Sequence, residues 1–324
     1  MLLKKQIKCL YIIGIITCVV LGVCLFCRHT FAKWITELRY KWYYRNCDHI
    51  VKIFHGQGNQ LYHYAFGYIL EKETGKKVCY DKSFYKEKNR ELHERYVLDL
   101  YSIPKMNLIT FSSKKNKMIK KYKQIGIVPN RWFFDKHLLH KKHTYYTGHY
   151  FSEYYYNKYR KDIVKMFTLK IPLDPSNQKM LTEIKKHKNS VSIHIRRGDY
   201  LKYEWYRDII TFDNYYNKAL KIFEKMEDVH YFIFSDDPEW VKKNFKTGKP
   251  TTYVNINDVE HGYFDLELMR NCKHNIIANS TFSWWGAYLN ENKDKIVVAP
   301  ELFDTTDLPR YYLGLSNWIR IENI

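Results

Sequence analysis

Apolar and polar positions alternate over residues 191–195, where Val191, Ile193 and Ile195 flank Ser192 and His194. Alternation with a period of two predicts a half-buried strand. It stops at Arg196-Arg197-Gly198-Asp199, which becomes the loop leaving the strand's carboxyl end. A short apolar strand followed by a polar turn and a helical stripe recurs elsewhere. Residues 50–54 form such a strand, and His55-Gly56-Gln57-Gly58-Asn59-Gln60 the turn. Leu61, Tyr64, Ala65, Tyr68 and Ile69 then follow at helical spacing. Residues 230–234 predict another strand, and Ser235-Asp236-Asp237-Pro238 starts a helix with acidic residues at its amino end. Helical spacing returns over 264–272, a strand over 275–278, an exit loop over 279–283 and a helix over 284–289. A last strand, 295–299, is stopped by Pro300. Strands alternating with helices predict a parallel, doubly wound α/β sheet. Pro172 and Pro175 mark a boundary before a helix near 178–188, whereas residues 79–174 carry no clean motif.

The amino-terminal pattern is different. Residues 9–27, opening on Cys9 and closing on Cys27, carry no charge between Lys8 and Arg28. At about 1.5 Å per residue this run just spans a ~30 Å hydrocarbon core. A cleaved signal peptide is the alternative, with Lys4, Lys5 and Lys8 as its basic region. An uncleaved single-pass anchor is the preferred reading, because Cys24-Leu25-Phe26-Cys27 offers no small-residue cleavage site. Residues 31–46 follow as an aromatic and basic stem suited to the headgroup level. The expected organisation is therefore tail and anchor over 1–28, stem over 29–48, and two α/β domains over 49–175 and 176–324.

Composition adds bounds. The 324 residues, 45% hydrophobic, suffice for two full cores, and 30 tyrosines with scarce Gly and Pro exclude a disordered or collagen-like chain. A formal net charge of +20 favours anionic partners, although lysines scattered among Tyr and Asn also fit a solvated surface. Adjacency to the anchor favours a membrane role for the stem over nucleic-acid binding. Seven cysteines, four of them in or beside the apolar run, suggest neither a disulfide framework nor a zinc site, and lean toward a reducing compartment.

The loops carry the candidate chemistry. In an α/β sheet, ligands bind beyond the carboxyl ends of the strands. Arginines there hold phosphate through paired charge-assisted hydrogen bonds, and a glycine lets the backbone approach. Arg196 and Arg197 thus predict a pyrophosphate grip; solvated charge or an ion pair to Asp199 is the bland alternative. An integrin-type reading of Arg197-Gly198-Asp199 fails because the triplet abuts an apolar strand. The glycines of 56–58 predict a second phosphate cradle at a helix start. Asp236 and Asp237 also read as ordinary helix caps, His194 as a core histidine, and Trp284 and Trp285 as core rather than a sugar platform.

Together these motifs resemble a known family. His194-Ile195-Arg196-Arg197-Gly198-Asp199-Tyr200 resembles the HxRRxD signature of the α1,2-fucosyltransferases and their relatives. Gly56-Gln57-Gly58-Asn59-Gln60 is similar to that family's GxGNQ segment, with His55 where relatives usually carry glycine. Phe234-Ser235-Asp236-Asp237 looks like its second motif. Asp265-Leu266-Glu267 with Asn279-Ser280-Thr281-Phe282-Ser283-Trp284-Trp285 looks like its third, in the bacterial form. The resemblance implies a GT-B-like fold, two Rossmann-like parallel-sheet domains facing a cleft. It implies inverting, metal-independent transfer of fucose from GDP-fucose to the 2-hydroxyl of a galactose-containing glycan, with no cofactor. Arg196, Arg197 and Asn59 would serve the reacting diphosphate. His194, Gly198, Asp199, Gly56, Gly58, Asp236, Asp237, Asp265, Ser280, Thr281 and Ser283 would bind or shape the donor site. No Asp-x-Asp occurs in the chain, and no catalytic base is assigned. Another donor or linkage on this scaffold, or a non-catalytic basic protein at the membrane surface, are the rival readings. The expected location is a bacterial inner membrane with a cytosolic enzyme domain, or alternatively a Golgi type II arrangement.

Overall fold

The computed structural model describes residues 28, 30, 31, 34, 35, 38, 42, 45–86, 91–110, 143–150, 156–204, 211–303 and 315–323, and the backbone of 123–125. The chain divides into two compact units, Met1–Asp48 and His49–Ile324. The expected anchor, residues 9–27, lies outside the described residues, and among those described no helix is long and apolar enough to cross a membrane. In the first unit Phe31, Trp34, Ile35, Leu38 and Trp42 are helical and exposed. That spacing sets them along one helical stripe.

The second unit holds two parallel sheets. The first is built from β1 (His49–Lys52), helix α1 (Gln57–Thr74), β2 (Val78–Asp81), β3 (Leu108–Ile109), β4 (Lys123–Ile125), β5 (Thr144–Tyr146) and helix α2 (Arg160–Met166). Its strand order is β3-β2-β1-β5-β4. The second begins with α3 (Pro175–Lys186), whose N-cap Asp174 accepts the Asn177 N–H at 2.9 Å. Then come β6 (Asn189–Ile195), α4 (Asn217–Ile222), β7 (Val229–Ser235), α5 (Pro238–Asn244), β8 (Thr251–Val254), α6 (Gly262–Arg270), β9 (His274–Ile276), α7 (Thr281–Leu289), β10 (Val297–Pro300) and β11 (Ile319–Ile321). Their order, β11-β10-β9-β6-β7-β8, is the 3-2-1-4-5-6 arrangement of the Rossmann fold read from the other edge.

The period-two pattern sorts the second sheet's faces. Val191, Ile193, Ile195, Tyr231 and Ile233 pack with Tyr215, Tyr216, Ala219, Phe223, Val241 and Phe245 on one side. Phe232 and Phe234 join the other side, a larger core shared with α6, α7 and the first sheet's α1. Both faces are covered, as a parallel sheet requires. Trp284 and Trp285 are fully buried in that shared core, each 4.8 Å from the Tyr62 ring of α1. The tryptophan pair is thus packing, not a sugar platform. The Trp285 indole N–H donates to the Gly58 carbonyl at 2.9 Å, fastening α7 to α1.

Two departures from expectation have simple causes. Helix α7 starts at Thr281 rather than 284, because the Ser280 hydroxyl caps it by accepting the Phe282 N–H at 3.3 Å. Thr281 and Ser283 therefore belong to its first turn. Cys47 and Cys79 each stand in a disulfide, contrary to the expected lack of cross-links. Cys272 is a buried free thiol whose pKa burial pushes upward.

Candidate active site

In each sheet the strand order reverses beside the strand that carries a motif: between β6 and β9 in the second, between β1 and β5 in the first. Ligands bind in the crevice opened at such switch points. Loops from both sheets line one cleft of about 600 Å³. His55, Gly56, Gly58 and Asn59 come from the β1 exit and the start of α1, and His149 from the β5 exit. The β6 exit supplies Arg196 and Asp199, while Ser280 and Thr281 follow β9.

Arg196 is the best-held charge in this cleft. Its guanidinium donates to Asp199 at 2.6 Å and pairs with Asp236 at 2.8 Å, with the side chain only 16% exposed. Burial opposes its charge, but Asp236 and Asp199 outweigh that and raise the pKa further. The other Asp236 oxygen accepts the Arg197 backbone N–H at 2.8 Å, so one carboxylate fixes both loop and side chain. Gly198 makes this possible, since a Cβ there would strike the Asp236 carboxylate. The ion pair to Asp199 is real, and it orients a guanidinium that still borders the cleft.

Two helix starts meet in the same cleft. A Cβ on Gly58 would lie 2.6 Å from the Phe282 backbone nitrogen, so glycine allows α1 to approach α7 closely. The α1 start has no side-chain cap. Its first N–H groups and its dipole favour an anion. At the far end of α7, Arg160 and Lys295 donate to the last carbonyls, including Asn290 at 3.1 and 2.6 Å. Burial and the neighbouring Arg160 push the Lys295 pKa down to about 7.

His194 and Asp265 border the cleft with opposite tendencies. Burial, then Arg196, pushes the His194 pKa down to about 3, so its ring is neutral at physiological pH, and among the described residues its Nδ1 has no hydrogen-bond partner. Burial pushes Asp265 up to about 7, against the Asn257 amide that donates to it at 2.7 Å.

Of the residues singled out from sequence, Arg196, Asn59, His194, Asp199, Gly56, Gly58, Asp236, Asp265, Ser280 and Thr281 line the cleft; Arg197, Gly198, Asp237 and Ser283 do not. Arg197 stacks on Trp240, 3.2 Å from the ring centroid, and its Nε donates to Asp237 at 3.0 Å. Asp237 therefore braces Arg197 and does not cap α5 through its side chain. The Ser283 hydroxyl is buried, accepting the Ala278 N–H at 3.2 Å. Among the cleft residues that escaped the sequence reading are His93, Glu94, His149 and Asn257. They lie in turns without periodic signal. Burial, then Arg196, lowers the His93 pKa.

Residues 50–322 match the profile of glycosyl transferase family 11. The chain belongs to this family. The chain is 31% identical over 304 residues to the Escherichia coli O-antigen biosynthesis glycosyltransferase WbnK, covering 82% of this chain and 98% of that one. An alpha-1,2-colitosyltransferase, also from Escherichia coli, is 30% identical over 295 residues, 84% and 98% of the two chains. Human galactoside alpha-(1,2)-fucosyltransferase 1 is 26% identical over 145 residues, 42% and 40% of the two chains. A glycosyltransferase breaks a bond at the donor sugar's anomeric carbon, and negative charge grows on the departing group. A fixed cation and aligned N–H dipoles aimed at that group lower the barrier.

Proposed function

We propose that this family 11 enzyme transfers L-fucose from GDP-β-L-fucose, with inversion, to the 2-hydroxyl of a galactosyl residue in a glycan. The observation that carries the reading is Arg196, clasped by Asp199 and Asp236 at the switch point, in the same cleft as the starts of α1 and α7. The donor diphosphate is taken to lie there, with Arg196 on the β-phosphate. The N–H groups of α1 and α7 and the hydroxyls of Ser280 and Thr281 surround it. Asn59 faces the reacting oxygen. His194 and Asp265 hold the nucleotide end, and the unpartnered His194 Nδ1 is one atom for it to meet. Asp199, Asp236 and Gly198 position Arg196; Arg197, Asp237 and Ser283 stiffen the loops. Arginine and N–H dipoles replace a metal in this proposal, in keeping with a chain that lacks Asp-x-Asp.

The similarity to a colitosyltransferase favours a second reading, a related deoxy-sugar donor in the same cleft. Incubation with GDP-fucose, GDP-colitose and GDP-mannose, galactose-terminated acceptors and EDTA separates the two. We predict α1,2-fucosylated product in EDTA. Transfer from GDP-colitose alone would install the second reading, and loss of activity in EDTA would contradict metal independence. The apolar stripe Phe31, Trp34, Ile35, Leu38 and Trp42 supports a stem lying on a membrane beside an anchor at 9–27. The disulfide-bonded Cys47 and Cys79 favour an oxidising compartment, hence the type II arrangement over the cytosol-facing one.

A further inference from the structure

An inverting displacement needs a base at the acceptor hydroxyl, and the motifs supply none. The first sheet's wall of the cleft carries a histidine in an unusual state. His55 has φ +60°, a left-handed conformation that glycine adopts freely and a histidine only at a cost. The surroundings hold it there. Its carbonyl accepts from Tyr85 Oη at 2.8 Å and from Gln60 Nε2 at 3.1 Å. Fully buried Gln60 also donates to the Arg95 carbonyl at 2.7 Å and accepts the Val97 N–H at 2.9 Å. It thereby ties the strand exit to the segment bearing Glu94. The His55 Nδ1 lies 2.9 Å from the Glu94 carboxylate, which is only 13% exposed, while the imidazole is 47% exposed in the cleft. Strain kept at a cleft residue, with a largely covered carboxylate orienting its ring, is an arrangement associated with function.

We propose that His55 is the general base of the transfer and Glu94 its positioning residue. Glu94 accepts the Nδ1–H, fixing the tautomer that presents Nε2 as an acceptor to the cleft. As the sugar's anomeric carbon parts from the β-phosphate oxygen, that oxygen keeps the bonding pair. The acceptor oxygen forms the new bond to the carbon, and its proton passes to His55 Nε2. Glu94 stabilises the imidazolium, which then loses the proton to water. This rests on the glycosyl-transfer reading above and deepens it.

His55→Gly is the direct test, because glycine relieves the positive φ. The variant should melt no lower than the parent and bind GDP equally well, yet lose about 100-fold or more in kcat. Added imidazole should restore part of the rate. The parent's rate–pH profile should show an acidic limb, with Glu94, His149, His63 and Tyr85 around His55. That acidic limb should vanish in the variant. An unchanged kcat, a loss that tracks weaker GDP binding, or a loss with neither rescue nor an altered acidic limb would overturn the proposal. If the parent prefers another donor of the panel, the comparison uses that donor, so a wrong donor and a wrong base give different results.

Discussion

At the scale of single residues, the site depends on which charges burial permits. Arg196 stays charged between two carboxylates, whereas His194 beside it is held neutral. The histidine has a consequence for stability. Its folded pKa of about 3 lies below the ordinary value of about 6.5, so between these limits the unfolded chain takes up a proton that the folded chain refuses. Stability from this residue is complete above pH ~6.5 and is lost as pH falls toward 3, by about 1.4 kcal/mol per pH unit. His63, lowered by burial, and His274, lowered by burial to about 4, act in the same direction. Asp265, raised to about 7, acts oppositely, favouring the fold as pH falls from 7 toward 4. Among the described residues five histidines are lowered, His93 and His230 besides these three, against two raised carboxyls, Asp265 and Glu71. We therefore predict that the melting temperature drops as pH is lowered from 6.5 to 4.5, and that His194→Asn flattens the slope. A melting temperature independent of pH over that range would refute the assignment. Arg196 was legible from sequence because it follows an alternating strand directly. The part played by Arg197 was not, since Trp240 reaches it only through the pairing of β6 with β7.

At the scale of elements, the meeting of α1 and α7 matters most. Two helix starts come together at Gly58 with room only for a hydrogen there, and Trp285 bonds across the contact. We predict that Gly58→Ala lowers stability by about 1–3 kcal/mol, the usual range for overpacking, and weakens GDP binding in the same variant. A calorimetric scan and a GDP titration check both; a stable variant that binds normally would mean the approach is looser than described. Strand–turn–helix units with a period of two followed by a helical stripe were readable, and the motif segments 56–60, 196–199 and 279–283 fell at the strand exits of such units, whereas Asp265 lies within α6. The first sheet's far half was not. Strands β3 and β4 are two and three residues long, too short to display a period. The turn Leu92–Glu94, which brings His93 and Glu94 to the cleft, is a 3₁₀ segment without a recognisable pattern. Strand β8 is mostly half-buried and shows no alternation, so the loop carrying Asn257 was also missed.

At the scale of the whole molecule, two sheets share one apolar core and turn their switch points to one cleft. The net charge of +20 is compatible with an anionic donor, but in the proposed reading the specific recognition rests on a single clasped arginine and two helix starts. We propose that this cleft stabilises the leaving diphosphate through Arg196. Steady-state transfer from GDP-fucose by Arg196→Ala, beside the parent and with circular dichroism verifying the fold, tests it most directly. We predict a kcat lowered about 10²–10³-fold in a folded protein. Transfer at the parental rate by the folded variant would contradict the claim.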